Sequence, residues 1–526
     1  MEQKEYDKLF VGGDLSGIQK FLYNITTDNA SISLKGRSAF IINYLYKVCH
    51  ELEQSVKEAG GSIRELYCSG GKFYFITEND EKLRTLIAAQ HAALTDSLWK
   101  EHRGHLGLNI GCLAFREENG KFFVEGREDD TNTSSGILWK YMSADFARQK
   151  KQKFKRQLQT RFQEFFTPVN VGGRTHVCAL TGVESAECQH LSDDIIKNLP
   201  ERGKSKDKFF LPSVIEQIEL GIKLSKEDGI LPFDQYASGT NLGILRMDVD
   251  GMGKKFIHGF DTLNEYQEFS DRAKDFFEDY IKTKLLTSND PISNKPYKSF
   301  LNIIYAGGDD LFIVGRWDKV IDFAKLVHDK IDEAFANDSY YDTFNSNNVE
   351  RRISISGGIA IVKPALPIAK AAEMAGDAEN AAKQFRNGEK NAFHMFGKTV
   401  SWNTRQPNGG YNSEYDFTEH YKNEFVNKIT YHNMSKGILH KIMLYSAMAD
   451  RNKQRLQEGK SENYSYIWHM AYYLTRYMQN YKENPSVYDF CKQLRDTDLN
   501  ANQGRNLELI ALAARWAEQQ LKINKV

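Results

Sequence analysis

One short stretch, Tyr305-Ala-Gly-Gly-Asp-Asp-Leu-Phe-Ile-Val, constrains the fold of this chain more than any other. Two glycines and two aspartates interrupt an apolar run, which is the pattern of strand, tight turn and strand. Glycines tolerate backbone angles that other residues avoid. The turn is therefore predicted to place Asp309 and Asp310 at the tip of a β-hairpin. Because adjacent carboxylates repel each other, a divalent cation is their expected counter-charge.

A third aspartate precedes the hairpin. Asp248 lies near the end of an apolar strand that starts at Asn241, and Gly251 follows it. If this strand neighbours the hairpin, three carboxylates meet beside a glycine-rich turn, which suits two magnesium ions and a nucleoside triphosphate. The alternative is an ordinary turn without a ligand, because Gly-Asp pairs are common turn formers.

The order of elements around these acids predicts one folding unit. The further predicted elements are a helix over 264–286, an amphipathic helix over 320–337, a strand over 353–362, an Ala-rich helix over 368–385 and a strand over 392–396. Together with the Asp248 strand and the hairpin, the order βαββαβ predicts a ferredoxin-like sheet with helices on one face. This is the palm architecture, with the acids on its two central strands.

The N-terminal part of the chain repeats this pattern. A first glycine-rich strand precedes a helix, and a second strand enters a Gly-Gly turn. The letters align Asp14 with Asp248, Ser16 with Asp250, Gly17 with Gly251, and Gly70 and Gly71 with Gly307 and Gly308, so that Lys72 and Phe73 replace the two aspartates.

Two palms are therefore predicted, and only the second keeps the acidic cluster. Because a charged Lys72 cannot ligate a metal, the first palm either binds a nucleotide without activating it, which we favour, or serves as a scaffold. Ser16 and Gln19 follow a strand in a polar turn that suits phosphate or base contacts. The alternative for Ser16 is that it caps the next helix.

These segments resemble the large polymerase–cyclase subunit of type III CRISPR effector complexes. The likeness covers most of residues 5–400, and its most specific part is the two-palm order with the Asp-Leu-Ser-Gly-Ile-Gln stretch. The segments that carry it are Gly13-Asp-Leu-Ser-Gly-Ile-Gln-Lys-Phe, Lys35-Gly-Arg-Ser, Ser69-Gly-Gly-Lys-Phe, Met247-Asp-Val-Asp-Gly-Met-Gly, Gly307-Gly-Asp-Asp, Ser356-Gly-Gly-Ile-Ala-Ile-Val-Lys-Pro and Lys390-Asn-Ala-Phe-His-Met-Phe-Gly.

The resemblance implies that pairing of target RNA with guide RNA switches on the second palm, which joins ATP into cyclic oligoadenylates. It implies partners as well: the small subunit, the backbone subunits and the subunit that binds the guide end. By position, Asp248, Asp309 and Asp310 are the catalytic and metal-holding residues for two Mg²⁺ or Mn²⁺ ions. The residues expected to contact ATP are Gly307, Gly308, Gly251, Ser16, Gln19 and Lys383; Lys383 either reaches the triphosphate or lies on a solvated helix face.

The sequence departs from the family pattern in two places. Many members begin with a histidine–aspartate nuclease domain, whereas this chain starts almost directly at the first palm, so we expect no DNA cleavage of that type. Members often carry a four-cysteine zinc module between the palms. Here Cys178 and Cys188, with His176 or His190, offer four ligands, but the paired C-x-x-C spacing is missing. A metal-free remnant is the favoured alternative to zinc.

Composition limits where the chain acts and what it binds. The 70 Lys+Arg balance the 70 Asp+Glu, so contacts to nucleic acid must come from local patches. No apolar stretch approaches the length of a membrane span, and the charged N-terminus lacks a signal core. Six scattered cysteines favour a reducing compartment. We therefore expect a cytoplasmic protein with no membrane partner.

The predicted fold class is α+β, with four domains. They are a first palm over 1–165, an insert over 166–237, a second palm over 238–402 and an all-helical domain over 403–526. A basic run over 148–158, on a predicted helix, either faces RNA or a neighbouring subunit or is a solvated surface.

Three other functions remain open on the sequence. A GGDEF-type diguanylate cyclase or class III nucleotidyl cyclase shares the palm and its acids, but neither has the duplicated palm or the large helical C-terminus. A non-catalytic scaffold of an RNA-guided complex would not need the acids. A template-dependent polymerase would need fingers or thumb insertions, and the sequence shows none that is obvious.

Overall fold

The computed structural model describes residues 6–25, 29–102, 104–127, 129–163, 175–199, 206–336, 352–403, 408, 410–461, 463–497 and 501–523. Two compact units emerge from the contacts. The first contains Met1–Ile355 and Val362–Ala375, and the second contains Ser356–Ile361 and Gly376–Val526. Among the described helices, none is both long enough and apolar enough to cross a membrane.

A five-stranded sheet lies at the N-terminal end of the first unit. Its order is β2-β3-β1-β4-β5, and its neighbouring strands are antiparallel. The central strand β1 is buried at seven consecutive positions, which explains why it lacks polar alternation. The strands are β1 Lys8–Ser16, β2 Arg64–Ser69, β3 Lys72–Glu78, β4 Gly107–Glu118 and β5 Lys121–Val124, and the helices are α1 Ile18–Tyr23, α2 Ala30–Glu58, α3 Glu81–His102, α4 Gly136–Lys151 and α5 Lys155–Thr160.

The segment that follows contains short strands and one long helix. Its elements are β6 His176–Val177, β7 Glu184–Ser185, β8 Gln189–His190, α6 Asp193–Lys197, β9 Phe209–Phe210, α7 Pro212–Asp228 and α8 Phe233–Ala237. Helix α7 packs closely on α2, because a Cβ on Gly36 would meet the Gln217 carbonyl oxygen at 1.8 Å and one on Gly221 would meet the Ile32 carbonyl oxygen at 2.2 Å. Gly36, in the Lys-Gly-Arg-Ser segment, thus has a packing role.

A second set of strands in the first unit carries the predicted acids. Its order is β11-β12-β10, all antiparallel. One long helical element begins with a Thr262–Glu265 capping box and continues as a π-helix, a rare form that is common near functional sites. The elements are β10 Leu242–Val249, α9 Met252–His258, α10 Leu263–Lys274, the π-helix Asp275–Leu285, a 3₁₀ turn Tyr297–Ser299, β11 Leu301–Gly307, β12 Asp310–Arg316 and α11 Trp317–Ala336.

The second unit is mainly helical. Strand β13 (Ile355–Val362), apart from its two end residues, belongs to it; β13 pairs in parallel with β14, and β14 pairs antiparallel with β15. From Glu414 onward, every regular element among the described residues is a helix. The remaining elements are α12 Ile368–Lys383, α13 Phe385–Gly388, β14 Ala392–Met395, β15 Lys398–Ser401, α14 Glu414–Tyr431, α15 Gly437–Gln457, α16 Ser465–Gln479, α17 Pro485–Asp496 and α18 Ala501–Ile523.

A buried ion pair ties helix α14 to helix α18. Arg505 donates from Nε to Oε1 of Glu414 at 2.8 Å and from Nη2 to Oε2 at 2.7 Å. Arg386 donates to the same carboxylate at 2.7 Å. Two guanidinium groups on one buried carboxylate explain how helices far apart in sequence are held at a fixed position.

Candidate active site

The acid-bearing hairpin has the predicted form. Strand β11 ends at Gly307, strand β12 begins at Asp310, and these two residues pair across the hairpin. Residues 307–310 are called the second turn below. Gly308 has a φ of +67°, a left-handed conformation that costs an L-residue with a side chain about 1–2 kcal/mol. A glycine is therefore required at the point where the chain reverses.

Strand β10 brings the third aspartate to this turn. Asp248 is the cross-strand partner of Asp310, and the N–H of Val249 donates to the carbonyl of Asp309 at 3.0 Å. Directly opposed residues on antiparallel strands have their side chains on the same face, with Cβ atoms roughly 4.5–5.5 Å apart. The prediction that β10 neighbours the hairpin is confirmed, and two of the three carboxylates share a face.

Three tyrosines feel the charges of the second turn: Tyr305 and Tyr74 are buried, and Tyr67 is half-buried. Burial raises the pKa of Tyr305, and the negative charges of Asp310 and Asp309 raise it further. Burial also raises the pKa of Tyr67 and of Tyr74, and Asp309 contributes to both shifts. Tyr67 and Tyr74 lie on β2 and β3, so the field of Asp309 reaches neutral phenols of the first sheet as well as its own.

The carboxylates do not form a three-residue metal site by themselves. Among the described residues, no group of three or more His, Cys, Asp or Glu side chains is arranged to hold a metal ion. Mg²⁺ often uses only one or two carboxylates together with substrate phosphates and water. The donors on the shared face are therefore of a suitable type, and the assignment of Asp248, Asp309 and Asp310 as metal ligands stays a prediction.

The corresponding turn of the first sheet, residues 69–72, is called the first turn. Both hairpins have a register irregularity just before the turn, between Glu65 and Tyr67 and between Ile303 and Tyr305. Ser69 pairs with Lys72 as Gly307 pairs with Asp310.

The predicted alignment of the two turns was therefore wrong by one residue. In backbone terms Gly70 matches Gly308, Gly71 matches Asp309 and Lys72 matches Asp310. Gly70 and Gly308 both have a positive φ, +58° and +67°. The prediction aligned the two Gly-Gly pairs with each other. Once the strand registers are matched, only one position of the turns, that of Gly70 and Gly308, is a glycine in both. The conclusion that the first turn lacks the acids is unchanged.

The first sheet does keep an aspartate, Asp14, but an internal cation neutralises it. Asp14 is 4% exposed and is the cross-strand partner of Lys72 on one side and of Asn109 on the other. Its Oδ2 lies 2.8 Å from Nζ of Lys150, on helix α4, and Asn109 Nδ2 donates to the same oxygen at 3.3 Å. A lysine thus supplies the counter-charge of this buried carboxylate.

The two turns face each other directly. A Cβ on Gly70 would lie 2.7 Å from Cα of Gly308, and one on Gly308 would lie 2.9 Å from Cα of Gly70. Real Cβ atoms do not approach backbone atoms this closely, so both positions depend on glycine. The first sheet consequently forms one wall of the space around the second turn, which the internal repeat alone did not reveal.

Three polar residues that sequence reasoning missed join these turns. The Ser69 hydroxyl accepts a hydrogen bond from the N–H of Gly308 at 3.1 Å and donates to the carboxylate of Glu278. The hydroxyl of Tyr46, on helix α2, donates to the other oxygen of Glu278 at 3.1 Å. Only the position of Ser69 beside the Gly-Gly pair could have suggested its importance, whereas Glu278 and Tyr46 look like ordinary helix residues.

In the polar turn after β1, the structure contradicts the alternative prediction that Ser16 is a helix cap. Ser16 does not cap helix α1; Gly17 is the N-cap residue, and the Ser16 hydroxyl donates to the Gly107 carbonyl at 3.0 Å. Gln19 is exposed in the first turn of α1. Gly17 and Gly251 both have a positive φ at the N-cap of a short helix, which confirms their alignment. Nucleotide contacts by Ser16, Gln19 and Gly251 stay predictions.

Lys383 belongs to the second unit. It ends helix α12, and its Nζ lies 2.7 Å from Oε1 of Glu379, one helical turn earlier. Glu379 is buried, so this ion pair fixes the direction of the lysine side chain. Contact between Lys383 and a triphosphate stays a prediction.

The predicted zinc residues lie in the segment of short strands. Cys178 and Cys188 are buried. The rings of His176 and His190 pack on Phe209, with centroids 3.5 and 4.0 Å away. Here too, the described residues contain no group of three or more His, Cys, Asp or Glu side chains arranged to hold a metal ion. Zinc binding stays a prediction.

The basic run near residue 150 is not one helix. Helix α4 ends at Lys151, Phe154 has a φ of 59°, and α5 begins at Lys155. Lys150 pairs with Asp14, and Lys153 donates to the Gly104 carbonyl at 2.8 Å. Lys150 and Lys153 therefore contact other groups of the same chain, and a contact of the basic run with RNA stays a prediction.

Two family models match the chain. The model described as "Cas10/Cmr2, second palm domain" matches residues 241–394, and the model described as "Csm1 subunit domain B" matches residues 8–168. The first match contains the second turn and β10, and the second match contains the first sheet and helix α4.

Curated relatives agree with these family models. One from Methanocaldococcus jannaschii is 24% identical over 74% of this chain and 59% of its own length, and one from Mycobacterium tuberculosis is 25% identical over 74% of this chain and 54% of its own length. Both are named "CRISPR system single-strand-specific deoxyribonuclease Cas10/Csm1 (subtype III-A)". The chain thus spans a little more than half the length of these relatives.

Solved structures show the same fold. A Csm1–Csm4 cassette in complex with pppApA matches with a TM-score of 0.62 at 18% identity, covering 98% of this chain and 70% of that chain. A Csm1–Csm4 cassette in complex with cA4 matches with a TM-score of 0.61 at 17% identity and the same coverage. With its mixed helix and sheet architecture and its palm domain, the chain matches the Cas10/Csm1 large subunits of type III-A CRISPR complexes in two family models, in curated relatives and in fold.

Proposed function

We propose that this chain joins ATP molecules into cyclic oligoadenylates when the complex that contains it has bound target RNA. The observation that carries the proposal is the second turn, which presents Asp309 and Asp310, has Asp248 in register with Asp310, and faces the first turn across the Gly70–Gly308 contact. The two sheets are interpreted as two ferredoxin-like palms, of which the second is catalytic.

The two facing turns suit a reaction between two nucleotides. To join two ATP molecules, the 3′-hydroxyl of one ribose loses its proton and attacks the α-phosphate of the other ATP. A 3′–5′ phosphodiester bond forms as the α–β bond breaks and pyrophosphate leaves, and holding both nucleotides in place supplies much of the rate enhancement. One turn carries acids and the other carries Lys72 at the matching position. A nucleotide bound against the first sheet can therefore present its hydroxyl to a nucleotide bound at the second turn.

Asp248, Asp309 and Asp310 are the residues that would hold Mg²⁺ or Mn²⁺. When bound, these ions would supply charge against the triphosphate and lower the pKa of the attacking hydroxyl. Because Gly307 and Gly308 have no side chains, a phosphate can approach their backbone closely. Ser16, Gln19, Gly251 and Lys383 are proposed nucleotide contacts.

Relatives support the substrate class and the partners. Solved Csm1–Csm4 cassettes were captured with ATP, pppApA, cA3 and cA4. We propose that the partners of this chain include a Csm4-type subunit, the small and backbone subunits, guide RNA and target RNA, and that the complex acts in the cytoplasm.

The test is mass spectrometry of the products formed by the reconstituted complex from ATP, Mg²⁺ or Mn²⁺ and complementary target RNA. Adenylate oligomers that appear only with complementary RNA support the proposal. A product from GTP alone would favour a diguanylate-type cyclase, and no product with normal assembly would favour a scaffold. A single-stranded DNA substrate in a parallel reaction tests the activity for which the relatives are named.

A further inference from the structure

We propose that Ser69, in the first sheet, is a positioning residue for the acid-bearing second turn. The inference rests on the proposed function, because the turn it positions is the proposed catalytic one. It assigns the first palm a role beyond nucleotide binding or scaffolding: a hydroxyl group that holds the neighbouring palm's turn in place.

The contact is buried and specific. Ser69 is 2% exposed, and its hydroxyl is the acceptor for the N–H of Gly308 at 3.1 Å. This hydrogen bond fixes the Gly307–Gly308 peptide, which is one peptide unit before the first acid, Asp309. A buried N–H that loses its acceptor costs about 1–3 kcal/mol. The turn would therefore shift or become disordered without the hydroxyl.

Glu278 orients the Ser69 hydroxyl. A serine hydroxyl rotates freely unless its proton has an acceptor, and here the proton is donated to Oε1 of Glu278. The lone pairs of Ser69 are then directed at Gly308. Glu278 lies on the π-helix Asp275–Leu285, whose wider turn is the irregular element that brings this carboxylate between the two sheets.

Tyr46 completes the connection from the other side. Its hydroxyl donates to Oε2 of Glu278 at 3.1 Å, so helix α2 of the first sheet holds the carboxylate that in turn holds Ser69. The chain of contacts Tyr46–Glu278–Ser69–Gly308 starts on helix α2, passes through the π-helix and strand β2, and ends at Gly308, next to Asp309. Repositioning of α2 or of the first hairpin would be transmitted directly to the second turn.

The backbone match of the two turns shows why a serine occupies this position. Ser69 is the counterpart of Gly307, because each pairs across its own hairpin with the first residue of the next strand. The second turn has no side chain at that position, which leaves room for a nucleotide. The first turn has a hydroxyl there, directed at its neighbour.

The first experiment compares Ser69→Ala with wild type in the full complex. We expect turnover of ATP to fall roughly tenfold, corresponding to one lost buried hydrogen bond, while KM for ATP changes less than twofold. The half-maximal Mn²⁺ concentration, measured by calorimetric titration without turnover, is expected to rise. Ser62→Ala, an exposed serine in the loop before β2, is the matched control and should change neither quantity.

Hydrogen–deuterium exchange gives a readout that does not depend on activity. In Ser69→Ala the amides of residues 305–312 should exchange faster, whereas β4 and α3 exchange as in wild type. Tyr46→Phe should give a smaller effect, about threefold in turnover, and the double variant should lose less than the sum of the two because both act through Glu278. If Ser69→Ala does not fold, Ser69→Cys keeps the shape and weakens the hydrogen bonds.

Wild-type turnover together with wild-type exchange in Ser69→Ala or Ser69→Cys would overturn the inference while leaving the proposed function intact. Slowed turnover with unchanged exchange at the turn would also overturn it, because the serine would then act on the substrate. If the wild-type complex makes no oligoadenylate, the proposed function fails, and the exchange measurement still decides whether Ser69 holds the turn.

Discussion

The first turn and the second turn have the same strand register around them but different chemical groups. Each follows a register irregularity, each has a left-handed glycine at the matching position, and these glycines touch. The second turn presents two aspartates and has Asp248 beside it, whereas the first presents Lys72 and its aspartate, Asp14, is paired with Lys150. The two turns thus share a backbone arrangement and differ in the side chains that they present.

The largest expected effect comes from removing the acids of the second turn. Asp309→Ala combined with Asp310→Ala should lower oligoadenylate synthesis at least about 10³-fold, since several kcal/mol of transition-state stabilisation would be lost with the metal ligands. Complex assembly should be unaffected, as judged by size-exclusion chromatography. The matched control is Asp193→Ala with Asp194→Ala, an adjacent exposed acid pair on α6. An unchanged rate of pyrophosphate release in the first variant would contradict the site assignment.

Contact between the turns can be tested with glycine substitutions. Gly308→Ala places a methyl group 2.9 Å from Cα of Gly70 and also requires a left-handed alanine, so a destabilisation of roughly 2–5 kcal/mol is expected. Gly251→Ala has a similar φ of +70° but open space around the new methyl group, and should cost only about 1–2 kcal/mol. Thermal unfolding midpoints of both variants measure the difference. Equal midpoints would mean that the two turns do not touch.

The free energy of unfolding should depend on pH through a buried histidine at the end of helix α3. Burial lowers the pKa of His102, at the end of α3, to about 4, below its unfolded value of about 6.5. Between these pH values the unfolded chain binds the proton and the folded chain does not. The contribution of His102 to the free energy of unfolding is therefore fully present above pH 6.5 and is lost as the pH falls toward 4. From pH 7 to pH 5 the loss is about 2 kcal/mol.

The matched variant is His102→Phe, since the imidazole already packs between Phe21 and Phe40. Its thermal midpoint should fall less between pH 7 and pH 5 than that of wild type. Other ionisable groups contribute equally to both proteins, among them the neighbours Glu101, Arg37 and His105. Parallel curves for the two proteins would show that His102 is accessible to protons in the folded state.

The smallest expected effect concerns the ion pair between Lys150 and Asp14 in the first sheet. Lys150→Ala leaves the buried Asp14 with Asn109 as its hydrogen-bond donor. The expected destabilisation is about 1–2 kcal/mol, less than for a fully buried pair because the Lys150 side chain is 46% exposed. Lys150→Arg should restore most of the midpoint. If Lys150→Ala is as stable as wild type, the lysine is not what compensates this carboxylate.

Much of the fold follows from local patterns. Strand β14 and helix α12 begin at their predicted residues and end within one or two residues of prediction, because apolar periodicity and flanking turn residues define them. The predicted helix over 264–286 is continuous, but its second half is a π-helix, which no periodicity at a 3.6-residue spacing can indicate. The alignment of the turns was wrong by one residue, because glycine letters do not state which glycine has the positive φ.

By itself, the sequence determined that a glycine-rich hairpin carries adjacent aspartates, that a related hairpin without them occurs earlier, and that Asp248 lies near the end of an apolar strand. These are properties of residues close together in the chain. Tertiary structure decided that the two turns meet at Gly70 and Gly308, that Lys150 neutralises Asp14, and that Tyr46, Glu278 and Ser69 hold the second turn. Those contacts join residues from about 135 to nearly 240 positions apart, and only packing of the folded chain can bring such residues within hydrogen-bonding distance.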